Sequence, residues 1–267
     1  MFDIYILYLI VGIVGGFLGG LLGLGGGIIF VPSLFFIFHY NELYLDNIMQ
    51  SAVSTSLACV VISSLSAAVK HNKNKLINWK LFYRMLPGLS LGSIVGVILI
   101  TVLSSHIIKI YYGILLIVIA IYMITTTESY KNEVTIKENN KYKFLNTFAF
   151  FTGSVSTLLG IGGGTLTTPY FKFFGETLKR SIATAAACGV PIALFGIIIT
   201  YIVSMTTQIL ENNIFNFIDY NAFLLISIST LIFSYIGAGI TYISDSISLK
   251  KIFCFSLIII GITILIS

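Results

Sequence analysis

The chain is written as long apolar runs separated by short polar ones. The runs cover residues 3–38, 48–69, 81–103, 107–126, 144–175, 181–205, 219–242 and 248–267. A helix needs about 20 predominantly apolar residues to cross about 30 Å of hydrocarbon, and most of these runs are near that length. Backbone exposed to lipid must satisfy its own hydrogen bonds, so the pattern predicts eight apolar segments, all helical. One long hydrophilic stretch, TESYKNEVTIKENNKYKF at 127–144, divides them four and four. The predicted organisation is a first membrane repeat over 1–126, a polar linker over 127–143 and a second membrane repeat over 144–267.

The first segment of each half departs from a simple span. Residues 3–38 as one helix would be about 54 Å long at 1.5 Å per residue. Residues 12–32 read GIVGGFLGGLLGLGGGIIFVP and residues 149–169 read AFFTGSVSTLLGIGGGTLTTP. A shift of 137 places Gly16, Leu21, Leu22, Gly23, Gly25, Gly26, Gly27 and Pro32 on Gly153, Leu158, Leu159, Gly160, Gly162, Gly163, Gly164 and Pro169. Each glycine costs a helix about 1 kcal/mol relative to alanine. Three in a row, twice, predict a duplicated unit with a break in each half. Cut there, residues 3–38 become a longer arm (4–22) and a shorter one (28–38) that cannot cross alone. That is the description of a re-entrant hairpin. QSAVST at 50–55 also resembles RSIATA at 180–185, and internal duplication of this kind is how many transporters are built.

Charge decides how the segments are threaded. Of the 15 Lys and Arg, all but Lys109 fall within 70–84, 127–143, 172–180 and 250–251. Eight full crossings would split these groups between the two faces. If the first segment of each half enters and returns on one side, they share a face, as the positive-inside bias prefers. Each half then crosses three times, so the repeats are inverted. The linker 127–143 falls on the cytoplasmic side. Eight full transmembrane helices remain the alternative.

Composition agrees with lipid as the solvent. The chain is 57% hydrophobic and 9% charged, with mean hydropathy +1.00, against about 25% charged for a soluble domain. The net charge of +5 marks loop topology, and no basic cluster interleaved with aromatics points to nucleic acid. Cys59, Cys188 and Cys254 lie inside apolar segments at spacings unsuited to zinc, and read as small buried hydrophobes.

The candidate chemistry sits at the breaks. Gly12, Gly16 and Gly20 are spaced for close helix contact. Gly25, Gly26 and Gly27, like Gly162, Gly163 and Gly164, are consecutive and cannot form such a stripe. They permit a helix break, which leaves free N–H groups at the start of the next arm, where the helix dipole attracts anions. Pro32 and Pro169 follow five residues later in the short arms, and Pro191 marks a hinge or kink in the sixth segment. In the second copy Thr165, Thr167 and Thr168 replace Ile28, Phe30 and Val31. Their hydroxyls serve either an anion's oxygens or the helix carbonyl one turn back. A second hydroxyl-rich surface holds Ser51, Ser54, Thr55 and Ser56, with Ser181 and Thr184 in the other half. The predicted substrate-binding set is Gly25–Gly27, Gly162–Gly164, Thr165, Thr167, Ser54, Thr55 and Thr184. No intramembrane Asp or Glu relay, HExxH or paired aspartates is evident, and GLGGG lacks the Lys-Ser/Thr of a P-loop. The chain therefore reads as no enzyme, with no metal site.

GLLGLGGGIIFVP, its second copy STLLGIGGGTLTTP, AVSTSL at 52–57 and LPGLSLGSIVG at 86–96 together resemble the TauE/SafE family, the sulfite exporters. The resemblance covers nearly the whole chain. Where the first half has Pro87-Gly88 the second has Asn221-Ala222, a departure from the pattern. The resemblance implies a prokaryotic inner-membrane permease for a small anion, often sulfur-containing: sulfite, a sulfonate or thiosulfate. It implies no bound cofactor. A passive anion channel and a membrane assembly subunit are the competing readings.

Overall fold

In the computed structural model, residues 2–44, 46–125, 144–211, 218–241 and 246–266 are described. The polar linker 127–143 lies outside them. The described residues form helices joined by short connections, in the order α1 (Phe2–Leu22), α2 (Gly27–Tyr40), α3 (Ile48–Lys73), α4 (Trp79–Val102), α5 (Ser105–Thr125), α6 (Leu145–Leu158), α7 (Gly164–Phe173), α8 (Leu178–Glu211), α9 (Tyr220–Ile240) and α10 (Ser246–Ile266). Among the described residues six helices are long and apolar enough to cross a membrane: those at 3–22, 48–73, 79–102, 105–122, 178–206 and 220–240. The chain is a multi-pass membrane protein. At 1.5 Å per residue α2, α6 and α7 reach only about 21, 21 and 15 Å, short of the hydrocarbon thickness.

Glycine stripes bring the long helices together. Gly12, Gly16 and Gly20 of α1 lie on α9 at Ile226, Thr230 and Ser234. Gly88, Gly92 and Gly96 of α4 lie in the same manner on α6, at Asn146, Phe150 and Ser154. With no Cβ in the way, backbones approach closely enough for dispersion to replace the missing hydrophobic drive between helices in lipid. Thr230 Oγ1 donates to Gly12 O at 3.0 Å and Thr241 Oγ1 to Leu21 O at 2.9 Å along the α1–α9 seam. α3 and α8 pack on one another at the centre, and α5 packs on α10.

The ends of α4 and α9 are held by matched caps. The Asn78 side chain accepts from Leu81 N–H at 3.2 Å and the Asp219 side chain from Ala222 N–H at 2.9 Å. The backbone N–H of Asn78 donates to Thr184 Oγ1, and that of Asp219 donates to Thr55 Oγ1, both at 3.0 Å. Asn78 also donates to Glu176 just beyond α7, at 2.9 Å, while Tyr44 just beyond α2 donates to Asp219 at 3.3 Å. Burial first, then the Asp219 carboxylate, pushes the Tyr44 phenol up to about 12, so it stays a donor. Residues 44 and 219 therefore lie together near the start of α3. Residues 78 and 176 lie together near its end.

Candidate functional site

The two glycine stretches meet. α1 ends at Leu22 and α2 begins at Gly27; α6 ends at Leu158 and α7 begins at Gly164. Gly26 (φ 79°) and Gly163 (φ 72°) are the helix N-caps, both in the left-handed region where a side chain is strained. Leu24 N–H closes back onto Gly19 O at 3.0 Å and Ile161 N–H onto Ser156 O at 2.8 Å, so both turns have the same geometry.

Between the helices the segments run past one another in opposite directions. A Cβ on Gly25 would stand 3.2 Å from Gly162 Cα, and one on Gly162 would stand 3.1 Å from Gly25 Cα. Gly27 lies against Gly160 O, and Gly164 lies against Gly23 O. Val60 and Ser64 of α3 and Gly189 of α8 close around this crossing. Neither α2 nor α7 has a side-chain cap at its N-terminus. Among the described residues, the first loop and cap bonds beyond the crossing are those of Ile29 and Phe30 to Gly26 O, and of Leu166 and Thr167 to Gly163 O. The N–H groups of Gly27 and Ile28, like those of Gly164 and Thr165, are the open donors of a helix start. Each end carries roughly half a positive charge from the helix dipole. The crossing can thus attract an anion without a cationic side chain.

The hydroxyls sort into two kinds. Thr167 Oγ1 donates to Gly163 O at 3.0 Å, the carbonyl one turn back. Thr55 and Thr184 are occupied as acceptors at the caps of α9 and α4. Ser56 Oγ donates to Gly160 O at 2.9 Å and so braces the second break. Thr165 lies in the first turn of α7 and is 7% exposed. Ser54, Ser64, Thr152, Ser156, Thr157 and Ser181, by contrast, are buried with no hydrogen-bond partner for the hydroxyl among the described residues. Of these, Ser64 Oγ would stand 2.7 Å from a Cβ on Gly25, and Ser156 Oγ 3.7 Å from one on Gly163. Ser64 and Ser156 are absent from the predicted set. The 137-residue shift did carry a signal for Ser156, because it sets that residue opposite Gly19.

The prolines lie inside helices. Pro32 is in α2, Pro169 in α7 and Pro191 in α8. Pro32 has no N–H to give to Ile28 O. Tyr112 of α5, fully buried, supplies the donor instead, at 3.3 Å from Ile28 O and 3.4 Å from Gly27 O. Cys59, Cys188 and Cys254 are buried and in no disulfide. Among the described residues no cluster of His, Cys, Asp or Glu is arranged to hold a metal ion.

The family model described as sulfite exporter TauE/SafE matches residues 8–264. Among curated proteins, a "Probable membrane transporter protein" of Haemophilus influenzae is 28% identical over 262 residues, covering 98% of each chain. One from Methanocaldococcus jannaschii is 32% identical over 207 residues, 77% of this chain and 75% of its own length. One from Bacillus subtilis, YunE, is 27% identical over 180 residues, 62% of this chain and 66% of its own. No solved structure matches the chain.

Proposed function

Because this chain belongs to the TauE/SafE family of membrane transporters, we propose that it carries a small anion, sulfur-containing, across a prokaryotic inner membrane by alternating access around the glycine crossing. The observation that carries this reading is the convergence of two helix N-termini, those of α2 and α7, on one buried place with unpaired hydroxyls beside it. Exposed amides and dipoles at such ends favour anions, and discontinuous helices meeting between two halves are a recurrent way to build a carrier site.

On this reading the halves are inverted repeats. α1 and α2 form a hairpin entered from one face, and α6 and α7 form one entered from the other. α3, α4, α5, α8, α9 and α10 cross, three in each half, and the basic face with the linker 127–143 is cytoplasmic. Two contacts support it: Tyr44 with Asp219 at one end of α3, and Asn78 with Glu176 at the other. Each ties the loop after a short arm to the opposite half. Gly25–Gly27, Gly162–Gly164, Thr165 and Ser54 remain the proposed binding set, joined by Ser64 and Ser156. Thr55, Thr184 and Thr167 serve as supports for it.

Proteoliposome uptake tests the reading, with sulfite, sulfate, thiosulfate, sulfoacetate and a carboxylate control, each with and without a proton gradient. Saturable uptake of a sulfur oxoanion is expected, and Gly26→Leu or Gly163→Leu abolishes it while membrane insertion stays intact. Unchanged flux in either variant removes the crossing as the site. Flux that does not saturate replaces the carrier with a channel.

A further inference from the structure

The two hairpins share a backbone but are filled differently. Under the 137-residue shift, Gly15, Gly19 and Phe30 of the first stand opposite Thr152, Ser156 and Thr167 of the second. In the first hairpin the space between the arms is occupied. The buried Phe30 ring lies on both Gly15 and Gly26, and a Cβ on Gly26 would come within 2.6 Å of its Cζ. In the second hairpin Thr167 stands at the matching sequence position and turns its hydroxyl back to Gly163 O, and the Ile192 side chain of α8 lies on Gly163 from outside the hairpin's own two arms. α6 carries Thr152 and Ser156 one turn apart, each 1% exposed. Neither hydroxyl has a hydrogen-bond partner among the described residues, and Ser156 reaches toward Gly163, the N-cap of α7.

A helical Ser or Thr in an apolar setting ordinarily donates to the carbonyl one turn back. Ser90, Ser93, Ser154, Thr200 and Ser229 do so here. Thr152 and Ser156 do not, although a buried donor left unmade is costly. We infer that the anion is held lopsidedly, inside the α6/α7 hairpin. Ser156 and Thr152 donate to its oxygens, the first amides of α7 supply the remaining donors, and Phe30 plugs the matching place in the first hairpin. This rests on the anion-carrier reading above. Donors reaching one point from two arms suit a pyramidal or tetrahedral oxoanion better than a planar carboxylate.

The test uses the full chain purified in detergent and titrated with sulfite, thiosulfate, sulfate and acetate, with the melting temperature as readout. The wild type is stabilised by sulfite or thiosulfate and not by acetate. Ser156→Ala and Thr152→Val each raise the half-saturating concentration at least ten-fold, Ser156→Thr restores it, and Ser90→Ala leaves it unchanged. Without anion, the Ala and Val variants melt no lower than wild type, because they remove a hydroxyl that nothing in the protein satisfies. Wild-type affinity in Ser156→Ala and Thr152→Val, with loss confined to Gly163→Leu, overturns the lopsided site and leaves the carrier reading standing. No stabilisation of the wild type by any oxoanion, together with no uptake in liposomes, overturns both.

Discussion

At the scale of single residues, the short arm α2 is held by a bond that replaces one its own sequence forbids. Pro32 cannot donate to Ile28 O, and the Tyr112 hydroxyl does so from α5. Removing that donor leaves a buried carbonyl unsatisfied, which costs about 1–3 kcal/mol. Tyr112→Phe is expected to lower stability in detergent by that amount. In a Pro32→Ala background the loss shrinks, because the alanine supplies its own N–H. Equal losses in both backgrounds in an unfolding double-mutant cycle contradict the account. The position of Pro32 beyond the glycines was legible in the sequence, since proline and glycine punctuate locally. Its partner was not, because nothing in the pattern around Tyr112 distinguishes it from the other apolar residues of α5.

At the scale of elements, α4 and α9 are each started by a cap that belongs to both halves. Thr184 of α8 accepts from Asn78 N–H, and Thr55 of α3 accepts from Asp219 N–H. Thr55→Val and Thr184→Val each strand a buried backbone donor and are expected to destabilise by about 1–3 kcal/mol. Ser54→Ala, whose hydroxyl has no partner in the described structure, costs little. Chemical denaturation in detergent distinguishes them, and a neutral Thr55→Val would show that the cap bond does not matter. The hydroxyl-rich stretch 51–56 stood out in the sequence, but its role did not. Matching QSAVST to RSIATA pairs residues 130 apart, whereas the cap bonds relate Thr55 to Thr184, which are 129 apart. The slip hid that Asn78 and Asp219 are equivalent, because one carries an amide and the other a carboxylate.

At the scale of the molecule, the helical, membrane-embedded class was legible because 9% charge cannot cover a water-facing surface. The uneven placement of lysine and arginine argued for threading the halves oppositely. Opposite threading is our proposal, and the Tyr44–Asp219 and Asn78–Glu176 contacts, at opposite ends of α3, support it. Single cysteines placed at Leu43 and Asn213 are expected to label from one side of the membrane, and those at Asn74 and Asn139 from the other. The native thiols are buried and contribute little background. Labelling of 74 and 213 from the same side restores eight crossings. What apolar pattern could not convey is that the two glycine stretches touch: contact between residues 137 apart is decided by how the helices stack, and their glycines look alike whether packed on lipid or on each other.

The central claim is that open amides at the glycine crossing receive the anion, and hydrogen exchange reads those amides directly. Deuterium uptake is compared in liposome-embedded protein with and without saturating sulfite or thiosulfate. The account predicts slowed exchange at the crossing, strongest in peptides spanning residues 159–167, where α7 supplies the donors, and weaker in those spanning 22–30, with the seam of α5 and α10 unchanged. Protection elsewhere, with these two stretches exchanging at the same rate while anion is bound, would contradict it.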